Sequence, residues 1–196
     1  MGEQHASNAV IIKPKLEHRA SIIWLHGLGA DGHDFAPIIP ELNLAQQDHI
    51  QFVFPHAPKR AVTINGGLHM RAWYDIKDPD LTKQPDRVGI VDSTRLLEDY
   101  IKHEIDLGIC LEKIVLAGFS QGGAIALYSG LRPDKLAGVL ALSTYLPFAE
   151  ELTTLTIKTP IMLAHGQQDP IIPISLGRSN YERLSAFNCK VNWYEY

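Results

Sequence analysis

One run in the chain has a composition and spacing suited to chemistry: Gly118-Phe119-Ser120-Gln121-Gly122, followed by Gly123. A serine with glycine two positions away on either side suits a sharp turn from a strand into a helix. The turn strains the serine backbone and crowds the flanking positions, which glycine relieves. It lifts the hydroxyl to the carboxyl edge of a parallel sheet, with a helix N-terminus behind it that stabilises negative charge. The chemistry implied is nucleophilic acyl transfer through Ser120. The plainer reading is a glycine-rich turn whose serine merely caps a helix. An apolar run before the motif, a helical pattern after it and the third glycine weigh against that.

Acyl transfer needs two amide N–H groups converging on the carbonyl oxygen. Gln121, the residue after the serine, supplies one. His26-Gly27-Leu28-Gly29 follows an earlier apolar run, and its glycines let the backbone approach a substrate closely. Leu28 N–H is the second candidate. The histidines and aspartates between His26 and Asp34 lack zinc-ligand spacing, so neither a metal nor a cofactor is expected.

With such a turn, the acid follows the serine in the chain and a histidine follows the acid. Only Asp134 and Asp169 are aspartates beyond Ser120. Asp134 lies in the solvated turn Arg132-Pro133-Asp134-Lys135. Asp169 follows a strand-like run, at the sheet edge where ligands bind in open parallel sheets. Asp169 is the expected acid, and an Asx turn before Pro170 is compatible with that role. All nine histidines (His5, His18, His26, His33, His49, His56, His69, His103 and His165) precede it. The base is therefore expected after Tyr196. Residues 1–196 read as one domain short of its histidine loop and last helix, and inactive as written. His26 and His165 end strands beside the site and are the alternatives within the chain.

The elements that must position these groups alternate between strand-like and helical runs, the pattern of an α/β fold with a mostly parallel sheet covered on both faces. Strands are expected over residues 9–12, 21–25, 51–54, 113–117, 136–142, 160–164 and 190–196. Helices are expected over 34–42, with Pro37 and Pro40 casting doubt on its second half, and over 93–107, 122–131 and 174–187. Ser93 is the expected N-cap of the longest and Gly108 its terminator. Residues 59–87 read as a long irregular connection carrying Trp73 and Tyr74.

With 196 residues, 45% apolar and 20% charged, the chain is large enough for one buried core. A net charge of −4 with scattered Lys and Arg offers no surface for nucleic acid or an anionic membrane. No apolar run approaches the ~20 residues of a membrane span, so no integral membrane segment is expected. The polar start lacks a signal sequence, and Ala6 stands where myristoylation of Gly2 would need Ser or Thr. Cys110 and Cys189 are expected to be reduced and partly buried, in a cytoplasmic protein.

Five segments together resemble a known family: 26–35 (HGLGADGHDF), 54–58 (FPHAP), 71–76 (RAWYDI), the elbow, and His165-Gly166 with Asp169-Pro170. They are similar to bacterial carboxylesterases related to acyl-protein thioesterases and lysophospholipases. The resemblance implies an α/β-hydrolase fold without a large cap domain. It also implies Ser120 and Asp169 as triad members and Leu28 and Gln121 as the oxyanion hole. The substrate would be a carboxylic ester or thioester, whether a small molecule, an acylated protein or a lysophospholipid, and a homodimer stays open. Family members continue past the last strand into a Met-Gly-His segment and a final helix. Apolar Leu28, Leu68, Trp73 and Ile76 are candidates to line an acyl site, with ordinary core packing the equal alternative. The rival from another class is a hydrolase-fold binding protein that keeps the pocket without its base. A related hydrolase of peptides or lactones is a further enzymatic rival.

Overall fold

Apolar residues alternate along the strands of one seven-stranded sheet and divide between two separate hydrophobic clusters, one on each face. The computed structural model describes residues 8–154 and 156–196; Gly2, His5 and Ala6 lie outside the described residues. In chain order the strands are β1 (Ala9–Ile12), β2 (Ala20–Leu25), β3 (Ile50–Pro55), β4 (Lys59–Val62), β5 (Leu68–Arg71), β6 (Ile114–Phe119), β7 (Gly138–Leu142), β8 (Ile161–His165) and β9 (Val191–Glu195). The main sheet runs β1-β3-β2-β6-β7-β8-β9, and β4 with β5 forms a separate antiparallel hairpin. Only β1 is antiparallel in the main sheet. The carboxyl ends of β2, β6, β7 and β8 therefore open onto one rim.

Three α-helices cover the first face: α1 (Arg87–Asp106), α2 (Gln121–Gly130) and α3 (Ile174–Ala186). Their apolar side chains, among them Leu97, Ile125 and Leu184, pack on Ile23, Leu116, Val139 and Leu163. The second face carries Trp24, Phe52, Phe54 and Ala117, covered by the 3-10 turn Ala36–Leu42. Pro37 and Pro40 keep the whole of that segment from becoming an α-helix, where the sequence put only its second half in doubt. Among the described residues no helix is long and apolar enough to cross a membrane.

Two elements differ from expectation. Helix α1 begins at Arg87, not Ser93, and its N-cap is Asp86, whose Oδ1 accepts from Gly89 N at 3.2 Å. Ser93 is instead buried within the helix, its Oγ donating to Trp73 O. Gly89 conceals this start because glycine is a poor helix former. The position favours it, since a methyl group there would come within 2.2 Å of Asp86 Oδ2 and 2.6 Å of an Arg60 guanidinium nitrogen and would displace the capping carboxylate. The stretch 59–87 is also less irregular than expected, because it contains the β4–β5 hairpin, turned through Gly66 (φ 66°) and Gly67 (φ 78°). Gly108 does end α1, at φ 95°. Cys189 is buried, whereas Cys110 is exposed, and both thiols are free.

Candidate active site

Ser120 sits between β6 and α2 with φ 54° and ψ −121°. A non-glycine residue there stores strain of order 1–3 kcal/mol and needs surroundings that hold it. Three hydrogen bonds to its main chain do so. Ser120 N donates to Leu142 O at 2.9 Å, and Ser120 O accepts from Ala124 N at 3.1 Å and from Thr144 Oγ1 at 2.6 Å. The glycines are explained by contact: a methyl group at Gly118 would lie 2.4 Å from Gly122 O. At Gly122 it would lie 2.4 Å from His26 O, and at Gly123 2.9 Å from Thr144 Cβ. The Ser120 hydroxyl makes no cap hydrogen bond to α2, so it is not a helix cap. Sequence reasoning missed Thr144, whose only signal is a short polar side chain just after β7.

The loop after β2 lies against this turn. A methyl group at Gly27 would sit 3.5 Å from Ser120 Cβ and 3.3 Å from the Phe119 ring. Gly29, at φ 78°, donates its N–H to Arg71 O at 2.9 Å. Among the described residues, neither Leu28 N–H nor Gln121 N–H donates to another protein group, which leaves both available to a ligand. Gln121 N–H also opens α2, where the helix dipole adds partial positive charge.

The two strand-end histidines are engaged elsewhere. His26 is 1% exposed; its Nδ1–H donates to Gly27 O at 2.7 Å and its Nε2 accepts from Ala57 N at 3.0 Å. Those partners require the neutral ring, and burial holds its pKa below the usual imidazole value. His165, also buried, donates Nε2–H to Ile172 O at 2.8 Å, and its Nδ1 abuts Gly177 of α3. Both rings brace turns.

Asp169 lies past the end of β8, separated from the elbow by β7. Its Oδ1 accepts from Ile171 N and Ile172 N, each at 2.9 Å, and its Oδ2 lies 3.6 Å from His165 Nε2. This is the Asx turn anticipated before Pro170, and it fixes the carboxylate at the rim. The last strand reaches the same place: Gln167 N donates to Tyr196 O at 2.8 Å, and the Tyr196 ring packs on Gly166.

The apolar candidates separate. Trp73 is 1% exposed and its indole Nε1–H donates to His26 O at 2.8 Å, so it belongs to the interior and offers no lining surface. Leu68 is 62% exposed on β5, and Ile76 is half-buried near Leu81 and Tyr145. An apolar groove of about 580 Å³ runs between the 79–82 loop and the start of α3, lined by Pro79, Leu81, Pro173 and Leu176. It adjoins the Asp169 turn through Pro173. Leu81 and Leu176 carry no sequence signal beyond ordinary hydrophobicity. A more polar concavity of about 450 Å³, around Arg19 and Asp48, lies before β2 and β3, at the opposite end of the sheet from Ser120.

Comparison with known proteins bears on this geometry. The family model described as Phospholipase/Carboxylesterase matches residues 6–196. Acyl-protein thioesterase 1 of Gibberella zeae is 39% identical over 193 residues, spanning 92% of this chain and 82% of that protein. The Saccharomyces cerevisiae acyl-protein thioesterase 1 is 38% identical over 188 residues, with coverage of 91% and 82%. The crystal structure of Arabidopsis thaliana SOBER1 superposes with a TM-score of 0.83 at 30% identity, over 91% of this chain and 88% of that one. These relatives are eukaryotic, and they do not confirm a bacterial affiliation.

Proposed function

Since the chain belongs to the phospholipase/carboxylesterase family and is a serine hydrolase of carboxylic esters or thioesters, we propose that Ser120 is its nucleophile, Asp169 the acid of its triad, and the Leu28 and Gln121 amides its oxyanion hole. The observation that carries this is the backbone of Ser120: strained, pinned on three sides, and walled by glycines that admit no side chain. Nothing in helix capping calls for that arrangement. It is what an exposed nucleophile at the end of a parallel strand requires.

In the first step Ser120 Oγ attacks the acyl carbon and gives its proton to a base. The carbonyl oxygen becomes the oxyanion held by Leu28 N–H and Gln121 N–H. Collapse expels the alcohol or thiol, which leaves with that proton, and the acyl group stays on Ser120. Water, deprotonated by the same base, attacks the acyl-enzyme and releases the acid. The base of this scheme is a histidine that the Asp169 carboxylate orients. The partners that brace the His26 and His165 rings weigh against either as the base.

The groove beside Pro173 suits an acyl chain, with Leu81 and Leu176 as its apolar walls. Several relatives are named acyl-protein thioesterases, which favours an acylated protein over a lysophospholipid as the natural substrate within the ester and thioester class. The same reading places the enzyme in the cytoplasm, where free thiols such as Cys110 and Cys189 persist. The test is hydrolysis of p-nitrophenyl esters, an S-acylated peptide and a lysophospholipid by the full-length protein and its Ser120→Ala variant. Loss of the nucleophile is expected to lower kcat by a factor on the order of 10⁵–10⁶ on every substrate cleaved. Turnover by the variant within tenfold of the parent would remove Ser120 from the mechanism.

A further inference from the structure

We propose that Trp73 is a positioning residue that sets the spacing between the two oxyanion amides, by tying the element that carries one to the loop that carries the other. The inference rests on the assignment of Leu28 and Gln121 above and adds a residue to it. Trp73 lies in the short 71–76 segment that leaves β5, outside the main sheet, yet it is almost wholly buried. On one side its main-chain N–H donates to Gln121 Oε1 at 2.8 Å, and Gln121 Nε2 donates to the following carbonyl, Tyr74 O, at 2.7 Å. Gln121, itself 2% exposed, thus offers its amide N–H at the start of α2 while its side chain grips the 71–76 segment. On the other side the Trp73 indole N–H donates to His26 O, the carbonyl directly before Gly27. Gly29 N–H completes the tie by donating to Arg71 O.

A dedicated tie answers a physical need. Oxyanion donors work at about 2.7–3.1 Å from the developing charge, and a misplacement of about 1 Å costs on the order of 10²-fold in rate. Gly27 and Gly29 let the loop approach Ser120, but glycine backbone does not hold its own position. Tryptophan is suited to the task because its ring packs in the core, 5.2 Å from the His26 ring, while its single N–H reaches a carbonyl. Ser93 Oγ, donating to Trp73 O, anchors the same residue to α1.

Two variants remove the ties and leave both oxyanion amides in place. Trp73→Phe keeps an aromatic ring and loses the N–H; Gln121→Met keeps the side-chain length and the main-chain N–H. Trp24→Phe is the control, because Trp24 is similarly buried on the other face and its indole N–H has no partner among the described residues. The full-length protein and each variant are measured for kcat and KM on an ester, for affinity toward an alkyl boronic acid that mimics the tetrahedral adduct, and for Tm. The expectation for each tie variant is a kcat about 10–100-fold lower, KM within about threefold, and boronate affinity reduced in step with kcat. The double variant should lose little more than either single one, since both act through the same residue. Trp24→Phe should move Tm alone. An unchanged kcat in Trp73→Phe and Gln121→Met, or losses that track Tm as in the control, would overturn the inference while Ser120 kept its role. Failure of Ser120→Ala to abolish turnover would instead overturn the site assignment beneath it.

Discussion

The carboxylate of Asp169 is held by two backbone amides and so cannot swing away from the rim. Its task in the proposed triad is to fix the tautomer of the base and stabilise the imidazolium. Asp169→Asn keeps the Asx turn but not the charge, and kcat is expected to fall by about 10³–10⁴. Steady-state kinetics of a folded variant would show this; a loss below tenfold would give the acid role to another group. His26 makes a second residue-scale prediction. Burial lowers its pKa from 6.5 in the folded protein, so the unfolded chain binds the proton more readily. Stability from this residue is present above pH 6.5 and declines as pH falls below that value, at up to about 1.4 kcal/mol per pH unit. His56, also lowered, mainly by burial, adds in the same direction. Denaturant melts between pH 7 and 5 should show this slope, shallower in His26→Gln; equal slopes would contradict it.

At the scale of elements, the site depends on struts that are polar as well as apolar. Helix α1 is fastened to the amino ends of β2 and β3 by the buried Glu104 carboxylate, which accepts from Ser21 Oγ at 2.5 Å and from Gln51 Nε2 at 2.9 Å. Glu104→Ala would strand the Gln51 amide and leave Ser21 Oγ with His18 Nε2 alone, and a loss of about 2–4 kcal/mol is expected in urea melts. A change under 0.5 kcal/mol would mean that water satisfies those groups. Which elements were legible follows from how they are stabilised. Strands β2, β3, β6, β7 and β8 are packed on both faces and read as apolar runs, and the elbow was legible because backbone crowding demands glycine at fixed spacing. The β4–β5 hairpin buries one residue, Val62, and has no such pattern. The start of α1 was masked by Gly89, which answers to Asp86 and Arg60 and not to helix propensity. Trp73 was seen near the site, but only tertiary contacts show that its ring faces inward.

Over the whole molecule, two hydrophobic clusters share one sheet, and we propose that the chain forms a single hydrolase domain whose rim gathers the ends of β2, β6, β7 and β8. No one element makes the site: about ninety residues separate the loop after β2 from the elbow, and about fifty separate the elbow from the Asp169 turn, and the three meet because parallel strands end on the same side. The acyl-enzyme mechanism requires that the reactive oxygen of this rim be that of Ser120. Reaction of the full-length protein with a fluorophosphonate, followed by mass measurement and peptide mapping, tests this most directly. One adduct per chain, on the peptide containing Ser120 and absent from Ser120→Ala, is the predicted result; an adduct on another residue, or one that persists in the variant, would contradict it.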